Sequence, residues 1–151
     1  EKISHQIVIF FFFLMDESKY QQLEKLAQGQ KNISLRRFTP SLIAYLDRAD
    51  LSISLGGYNT TMNILKTGVR SIIYPSDKDR EQAIRAEKLE KLSLLKILNN
   101  SELEPERLAQ LIVDYLAEES NLNLEYQIQL EGAKQASLIL QELLKSNLIA
   151  A

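Results

Sequence analysis

Two glycines followed by polar residues stand where a strand-like pattern gives way to a helix-like one. The alternating apolar segment 51–55 ends at Gly56 and Gly57, and the helix-like segment 59–67 begins almost directly afterwards. Glycine lets a ligand approach the bare backbone closely, and the first turn of a helix offers free N–H groups and a partial positive charge. This combination favours a phosphate or diphosphate site. The polar residues that could add donors there are Asn59, Thr60 and Thr61.

The same segment also fits a purely structural interpretation. Gly56 and Gly57 could simply make a tight turn from strand to helix, with Asn59 as the N-cap of the helix. The pattern matches neither the dinucleotide-binding G-x-G-x-x-G motif nor a P-loop. The spacing alone therefore leaves both interpretations open.

A second polar helix start follows one strand later in the chain. The strand-like segment 70–75 ends at Pro75, and a helical pattern begins near Asp79. Asp79 and Gln82 have the spacing of a capping box, but the Gln82 amide could also bond sugar hydroxyls. Ligands bind beyond the carboxyl ends of parallel strands, so two such loops facing one crevice favour a nucleotide-like ligand.

These loops require alternating strands and helices to position them. Strand patterns cover 6–14, 32–38, 51–55, 70–75 and 94–98, and helical patterns cover 16–28, 40–46, 59–67, 79–93, 104–119 and 132–144. This alternation predicts an α/β fold with a Rossmann-like open parallel sheet flanked by helices. We expect a nucleotide-sugar-binding domain over 1–120, and a linker with an extra C-terminal helix over 121–151. The apolar face of that helix should pack on the domain or on a partner.

The longest apolar run and the charge balance argue against a membrane-spanning helix in that run and against a general nucleic-acid-binding protein. The apolar run 7–15 is far shorter than the ~20 residues of a spanning helix, so it predicts a strand buried on both faces. With 18 basic and 20 acidic residues, the chain has no general attraction for nucleic acid.

The residue types also limit the chemistry. The chain has no Cys, which excludes disulfides and thiolate sites and favours a cytoplasmic location. The chain has only one histidine, His5, so a His-rich metal site is excluded. Asp77 and Asp79 lie in a polar loop, where nearby carboxylates are more often solvated than ligated. We expect neither a metal nor a cofactor.

The segment "ADLSISLGGYNTTMNILKTGVRSIIYP" (49–75), followed by "DREQAIRAEKL" (79–89), resembles the carboxyl-terminal half of MurG-type glycosyltransferases, family 28. The resemblance implies one half of a GT-B enzyme, in which a nucleotide sugar lies between two Rossmann-like domains. It places Gly57, Asn59 and Thr60 at the diphosphate and Gln82 at the donor sugar.

The resemblance also assigns the nucleoside. The backbone around Phe38 and Thr39 would hold the base. Asn63 stands where the family usually has a Glu that bonds the ribose hydroxyls, and it lacks the charge-assisted strength of a carboxylate. The expected substrate-binding residues are Gly56, Gly57, Asn59, Thr60, Thr61, Asn63, Gln82, Phe38, Thr39 and Asp79. No catalytic residue is expected, because the family's base belongs mainly to the amino-terminal half.

The implied function is transfer of a hexosyl or N-acetylglucosaminyl group from a UDP-sugar, such as UDP-GlcNAc, to an acceptor hydroxyl. The chain would need an acceptor-binding N-terminal domain or subunit, and that partner could bring it to a membrane surface peripherally. Whether it is a natural split subunit or a truncated enzyme stays open. One alternative is a non-catalytic nucleotide-sugar-binding or regulatory module, which Asn63 favours. Another is half of a nucleotide-sugar epimerase.

Overall fold

The computed structural model describes residues 5–10, 16–118 and 130–149. Its strands are β1 (Ile7–Phe10), β2 (Ile33–Arg36), β3 (Ser52–Leu55), β4 (Ser71–Tyr74) and β5 (Lys96–Ile97). Its helices are α1 (Glu17–Ala27), α2 (Leu42–Leu46), α3 (Tyr58–Thr67), α4 (Arg80–Lys91), α5 (Pro105–Ala117) and α6 (Gly132–Ile149). The predicted alternation of strands and helices is confirmed.

All described strand pairs are parallel. β1 pairs with β2, and β3, β4 and β5 form a three-stranded sheet in that order. The chain divides into two compact units, residues 1–42 and 43–151, and each contains one of these sheets. The protein therefore has the predicted α/β fold, with parallel sheets flanked by helices. Its hydrogen bonds join the strands in two groups.

The core of the second unit lies on its central strand. β4 has a hydrogen-bonded neighbour on each side, and its Ile72 and Ile73 are completely buried. Ile64 of α3 and Leu89 of α4 are buried as well. A strand covered on both faces is expected to be continuously apolar, as "SIIY" is here.

β1 does not share this environment. Ile7 and Val8 are 39% and 38% exposed, so burial on both faces is wrong for the described part of the apolar run. β2 is the only hydrogen-bonded neighbour of β1 among the described strands. Residues 11–15 of the run lie outside the described residues.

Short caps set the helix ends next to the loops. Asp16 caps α1 by accepting from the N–H of Ser18 at 2.9 Å. Gly68 ends α3 in the left-handed conformation, with φ 68°, which favours glycine over other residues.

The C-terminal helix α6 is present over Gly132–Ile149. Leu140, Leu143 and Leu144, which lie on its predicted apolar face, are all exposed. Most of the predicted linker before it falls on 119–129, outside the described residues, and the division of the chain near residue 120 stays a prediction. None of the described helices is long and apolar enough to cross a bilayer.

Candidate functional site

The glycine pair forms the turn between β3 and α3. Gly57 is the N-cap of α3, with φ −59° and ψ 142°, and no side chain caps the helix start. Asn59 is the second residue of the helix, so its predicted role as N-cap in the structural interpretation is wrong. The first N–H groups of a helix have no partner within the helix. The start of α3 therefore keeps N–H donors that no capping side chain occupies.

The structure explains the presence of glycine at position 56 but not at position 57. A Cβ on buried Gly56 would lie 3.3 Å from Cγ2 of Ile73 and 3.4 Å from Cβ of Gln82. A Cβ on Gly57 would meet no described residue within 4 Å, and the φ of Gly57 is one that any residue adopts. Packing thus explains Gly56, whereas neither packing nor conformation explains Gly57.

Both glycine carbonyls are held by side chains. The Gly57 carbonyl accepts from the backbone N–H of Thr61 and from its hydroxyl, both at 3.0 Å. The Gly56 carbonyl accepts from Nη2 of Arg85 at 3.0 Å. Thr61 is buried, so its hydroxyl stabilises the start of its own helix instead of facing solvent.

The loop before α4 holds the other predicted residues. Asp79 caps α4, because its Oδ1 accepts from the N–H groups of Glu81 at 3.1 Å and Gln82 at 3.2 Å. The reciprocal half of the capping box is absent, since Oε1 of Gln82 accepts from the N–H of Ser76 at 3.3 Å. The N–H of Asp79 is already satisfied by the carbonyl of Ser76 at 3.0 Å.

The two loops are neighbours in space. β3 and β4 pair in parallel with Leu55 opposite Tyr74, so the loops after them leave the same edge of the sheet. The short distances between Gly56 and the side chain of Gln82 follow from this register. The structure therefore brings Gly56, Gly57 and Gln82 together at the carboxyl edge.

Arg85 is a residue of this cluster that the sequence analysis missed. Its side chain is 16% exposed, and its Nη1 lies 2.7 Å from Oε1 of Glu81. The guanidinium carbon is 5.4 Å from the centre of the Tyr58 ring, and the buried Nε has no hydrogen-bond partner among the described residues. Position 85 lies three residues after Gln82, which places both on one face of α4. That spacing is the signal that could have indicated it.

The remaining predicted residues are less constrained. On α3, Asn59 is exposed, and Thr60 and Asn63 are half-buried. Phe38 and Thr39 belong to the first unit, where Phe38 is exposed and Oγ1 of Thr39 accepts from the N–H of Ser41 at 3.1 Å. In the described ranges, no group of three or more His, Asp or Glu residues is placed to hold a metal ion.

Residues 2–143 match the sequence model of the glycosyltransferase family 28 C-terminal domain. The chain belongs to this family. The matched segment covers both loops of the cluster. No curated protein sequence is similar enough to this glycosyltransferase family 28 domain to count as a match.

Two solved structures share the fold of this family 28 domain. One is the glycosyltransferase VinC in complex with DTDP, with a TM-score of 0.59 and 17% identity over 76% of this chain. The other is the glycotransferase of kitacinnamycin, with a TM-score of 0.56 and 16% identity over 76% of this chain. The aligned part covers 34% and 36% of those proteins, so this chain spans about a third of their length. The fold is that of GT-B C-terminal domains.

Proposed function

We propose that this domain is the donor-binding half of a MurG-type glycosyltransferase that transfers a sugar from a UDP-sugar to an acceptor hydroxyl. The observation that carries the proposal is the uncapped start of α3 beside the open Gly57, at the sheet edge that also holds Gln82. A diphosphate there would accept from the first-turn N–H groups and meet the positive end of the helix dipole. The family match supports the assignment to the donor-binding half of such an enzyme.

Each residue has a distinct part in the proposed site. Gly57, Asn59 and Thr60 would receive the diphosphate. Because the N–H of Ser76 occupies Oε1 of Gln82, the amide nitrogen of Gln82 is the end that would donate to a sugar hydroxyl.

The other predicted residues act on the nucleoside or on the loops. Asn63 would bond the ribose of the nucleoside. Thr61 and Asp79 would act indirectly, since their hydrogen bonds stabilise the starts of α3 and α4. Gly56 contributes the close packing against Gln82.

The chemistry assigned to this half is stabilisation of the leaving group. When the bond between the sugar and the diphosphate breaks, negative charge grows on the departing nucleoside diphosphate. Fixed N–H dipoles at the start of α3 stabilise that charge without reorganising. The general base and the acceptor would come from a separate amino-terminal half, so the chain alone would bind the donor without transferring the sugar.

We further propose that α6 contacts that partner half. Leu140 and Leu144 are exposed on α6, and exposed apolar side chains at helical spacing are typical of an interface. Residues 121–151 would then form a connecting and docking segment. A peripheral contact with a membrane would come through the partner half.

Calorimetric titration tests the proposal. The chain is titrated with UDP, UDP-GlcNAc, dTDP and ADP, and we expect UDP and UDP-GlcNAc to bind more tightly than ADP. No heat change with any of these ligands at millimolar concentration would refute the proposal.

A second candidate, a non-catalytic nucleotide-sugar-binding module, is favoured by Asn63. Donor binding without sugar transfer after the acceptor half is added would support that candidate.

A further inference from the structure

We propose that Arg85 is a positioning residue of the diphosphate site, because it determines the direction in which the N–H of Gly57 points. The inference rests on the proposed function. Arg85 holds the Gly56 carbonyl at 3.0 Å, although 29 residues separate the two in the chain.

The first step concerns the geometry of the peptide unit. The described backbone has no cis peptide bond, and in a trans peptide the C=O and the following N–H point in opposite directions. When Arg85 holds the Gly56 carbonyl, the N–H of Gly57 must point away from that guanidinium. Thr61 acts in the same way on the next peptide, so the N–H of Tyr58 points away from Thr61. Two successive donors are thereby held in defined directions.

The second step is that this sequence needs such an anchor. Glycine has more backbone freedom than any other residue, so a glycine pair does not hold its peptide planes by itself. A Cβ on Gly57 would meet nothing within 4 Å in the described part of the chain, so the close packing found at Gly56 does not extend to Gly57. The hydrogen bonds to the two glycine carbonyls therefore fix the orientation of the peptide planes whose N–H groups would bind the diphosphate.

The third step concerns why the residue is an arginine. One Nη bonds the Gly56 carbonyl and the other bonds Glu81 at 2.7 Å, so the planar fork makes two contacts at once. Lysine carries the charge but not the fork. Because Glu81 pairs with the guanidinium, we assign Arg85 a role through geometry instead of through its charge.

The Nε of Arg85 has no hydrogen-bond partner in the part of the chain that the structure describes, and this fits the assignment. A buried donor without a partner lowers stability. An arrangement selected for stability alone would avoid that cost. Residues that break a local rule of this kind are concentrated at functional sites.

The test compares Arg85→Lys with a matched control, Arg70→Lys. Arg70 also bonds backbone carbonyls, those of Tyr115 at 2.7 Å and Glu118 at 2.8 Å, but it precedes β4 at the opposite edge of the sheet. UDP affinity is measured by calorimetry and stability by thermal unfolding. The amide signals of Gly57 and Tyr58 are followed by NMR on the ¹⁵N-labelled full chain.

We expect Arg85→Lys to weaken UDP binding roughly tenfold, the size of one charge-assisted hydrogen bond. The Gly57 amide signal should shift even without UDP. Arg70→Lys should lower the unfolding temperature but change the UDP affinity less than about twofold, within the spread of independent sites. A purely structural role for Arg85 predicts that Arg85→Lys behaves like Arg70→Lys, with a lower unfolding temperature and a nearly unchanged UDP affinity.

A third variant, Glu81→Gln, separates geometry from charge. Glu81 is exposed, so the variant should fold, and it leaves the bond from Arg85 to Gly56 in place. Positioning predicts nearly unchanged UDP affinity, whereas a marked gain would overturn it in favour of direct charge attraction. Unchanged affinity in Arg85→Lys would overturn the inference and leave the proposed function standing. Absence of UDP binding by the unchanged chain would overturn both.

Discussion

A single substitution, Gly57→Asp, should stabilise the protein and abolish donor binding at the same time. Gly57 has φ −59° and ψ 142°, nearly the backbone conformation of Asp16, which has φ −56° and ψ 132° and caps α1. A Cβ at Gly57 meets nothing within 4 Å, so the aspartate fits without strain. Its carboxylate should therefore accept from the first-turn N–H groups of α3, as Asp16 does in α1.

The stability gain has three contributions. Replacing glycine by an aspartate cap contributes a few tenths of a kcal/mol, and a negative charge at the helix start contributes about 0.3–1 kcal/mol. The reduced freedom of the unfolded chain adds about 0.4–1 kcal/mol. The free energy of unfolding should rise by about 1–2 kcal/mol in total, which raises the melting temperature by about 2–8 °C for a chain of this size.

The affinity should fall because the new carboxylate takes the site of the diphosphate. Two like charges about 4 Å apart repel by about 4 kcal/mol at the effective dielectric of a protein surface. We therefore expect at least a hundredfold weaker UDP binding in calorimetry, or about 3 kcal/mol.

Glu104→Asp is the matched control for Gly57→Asp. Glu104 is the N-cap of α5 with φ −60° and ψ 133°, and its side chain makes no capping hydrogen bond. Shortening it to aspartate should add a cap and some stability without changing UDP affinity. If Gly57→Asp bound UDP as tightly as the unchanged chain, the diphosphate could not lie at the start of α3. A loss of stability would refute the capping geometry.

Three further results are expected. Gly56→Ala would place a Cβ 3.3 Å from Ile73, so urea unfolding should show a loss of about 1–2 kcal/mol, and an unchanged value would contradict the close packing. Asn63→Glu should strengthen UDP binding about five- to tenfold in calorimetry and should strengthen dTDP binding less. A carboxylate can accept from both hydroxyls of the ribose in UDP but from only one hydroxyl of the deoxyribose in dTDP. Equal gains for the two ligands would argue against a ribose contact. The bidentate contact from Arg37 lowers the pKa of Glu17 below 4.5, so its stabilisation is present above that pH and is lost as the pH falls through the lowered value. Glu17→Gln should therefore lose less stability between pH 6 and pH 3, as measured by urea unfolding.

Local signals in the sequence predicted much of this fold. Periodicity and turn residues depend on neighbours a few positions away, and for that reason the cap at Asp79 was predicted at the position that the structure has. The ordered motifs 49–75 and 79–89 indicated the family, which the match over 2–143 confirms. The predicted parallel sheet also placed Gly56 and Gln82 close together, because the carboxyl ends of parallel strands meet at one edge of the sheet.

Burial and side-chain partners were less predictable. The apolar composition of β1 indicated burial on both faces, yet Ile7 and Val8 are partly exposed, since burial depends on which elements cover a strand. The spacing of Asp79 and Gln82 indicated a reciprocal box, but Gln82 bonds the N–H of Ser76. The N–H of Asp79 donates to the carbonyl of Ser76 instead, and the spacing of residues 79 and 82 does not predict that choice.

The sequence by itself thus determined the order and type of the elements, the family, and a glycine pair at a strand end, because these are properties of short segments. Only the tertiary structure decided that the side chain of Arg85 holds the carbonyl of Gly56. A hydrogen bond between positions 56 and 85 forms only when the fold brings the turn after β3 within reach of α4, and no residue pattern encodes that distance.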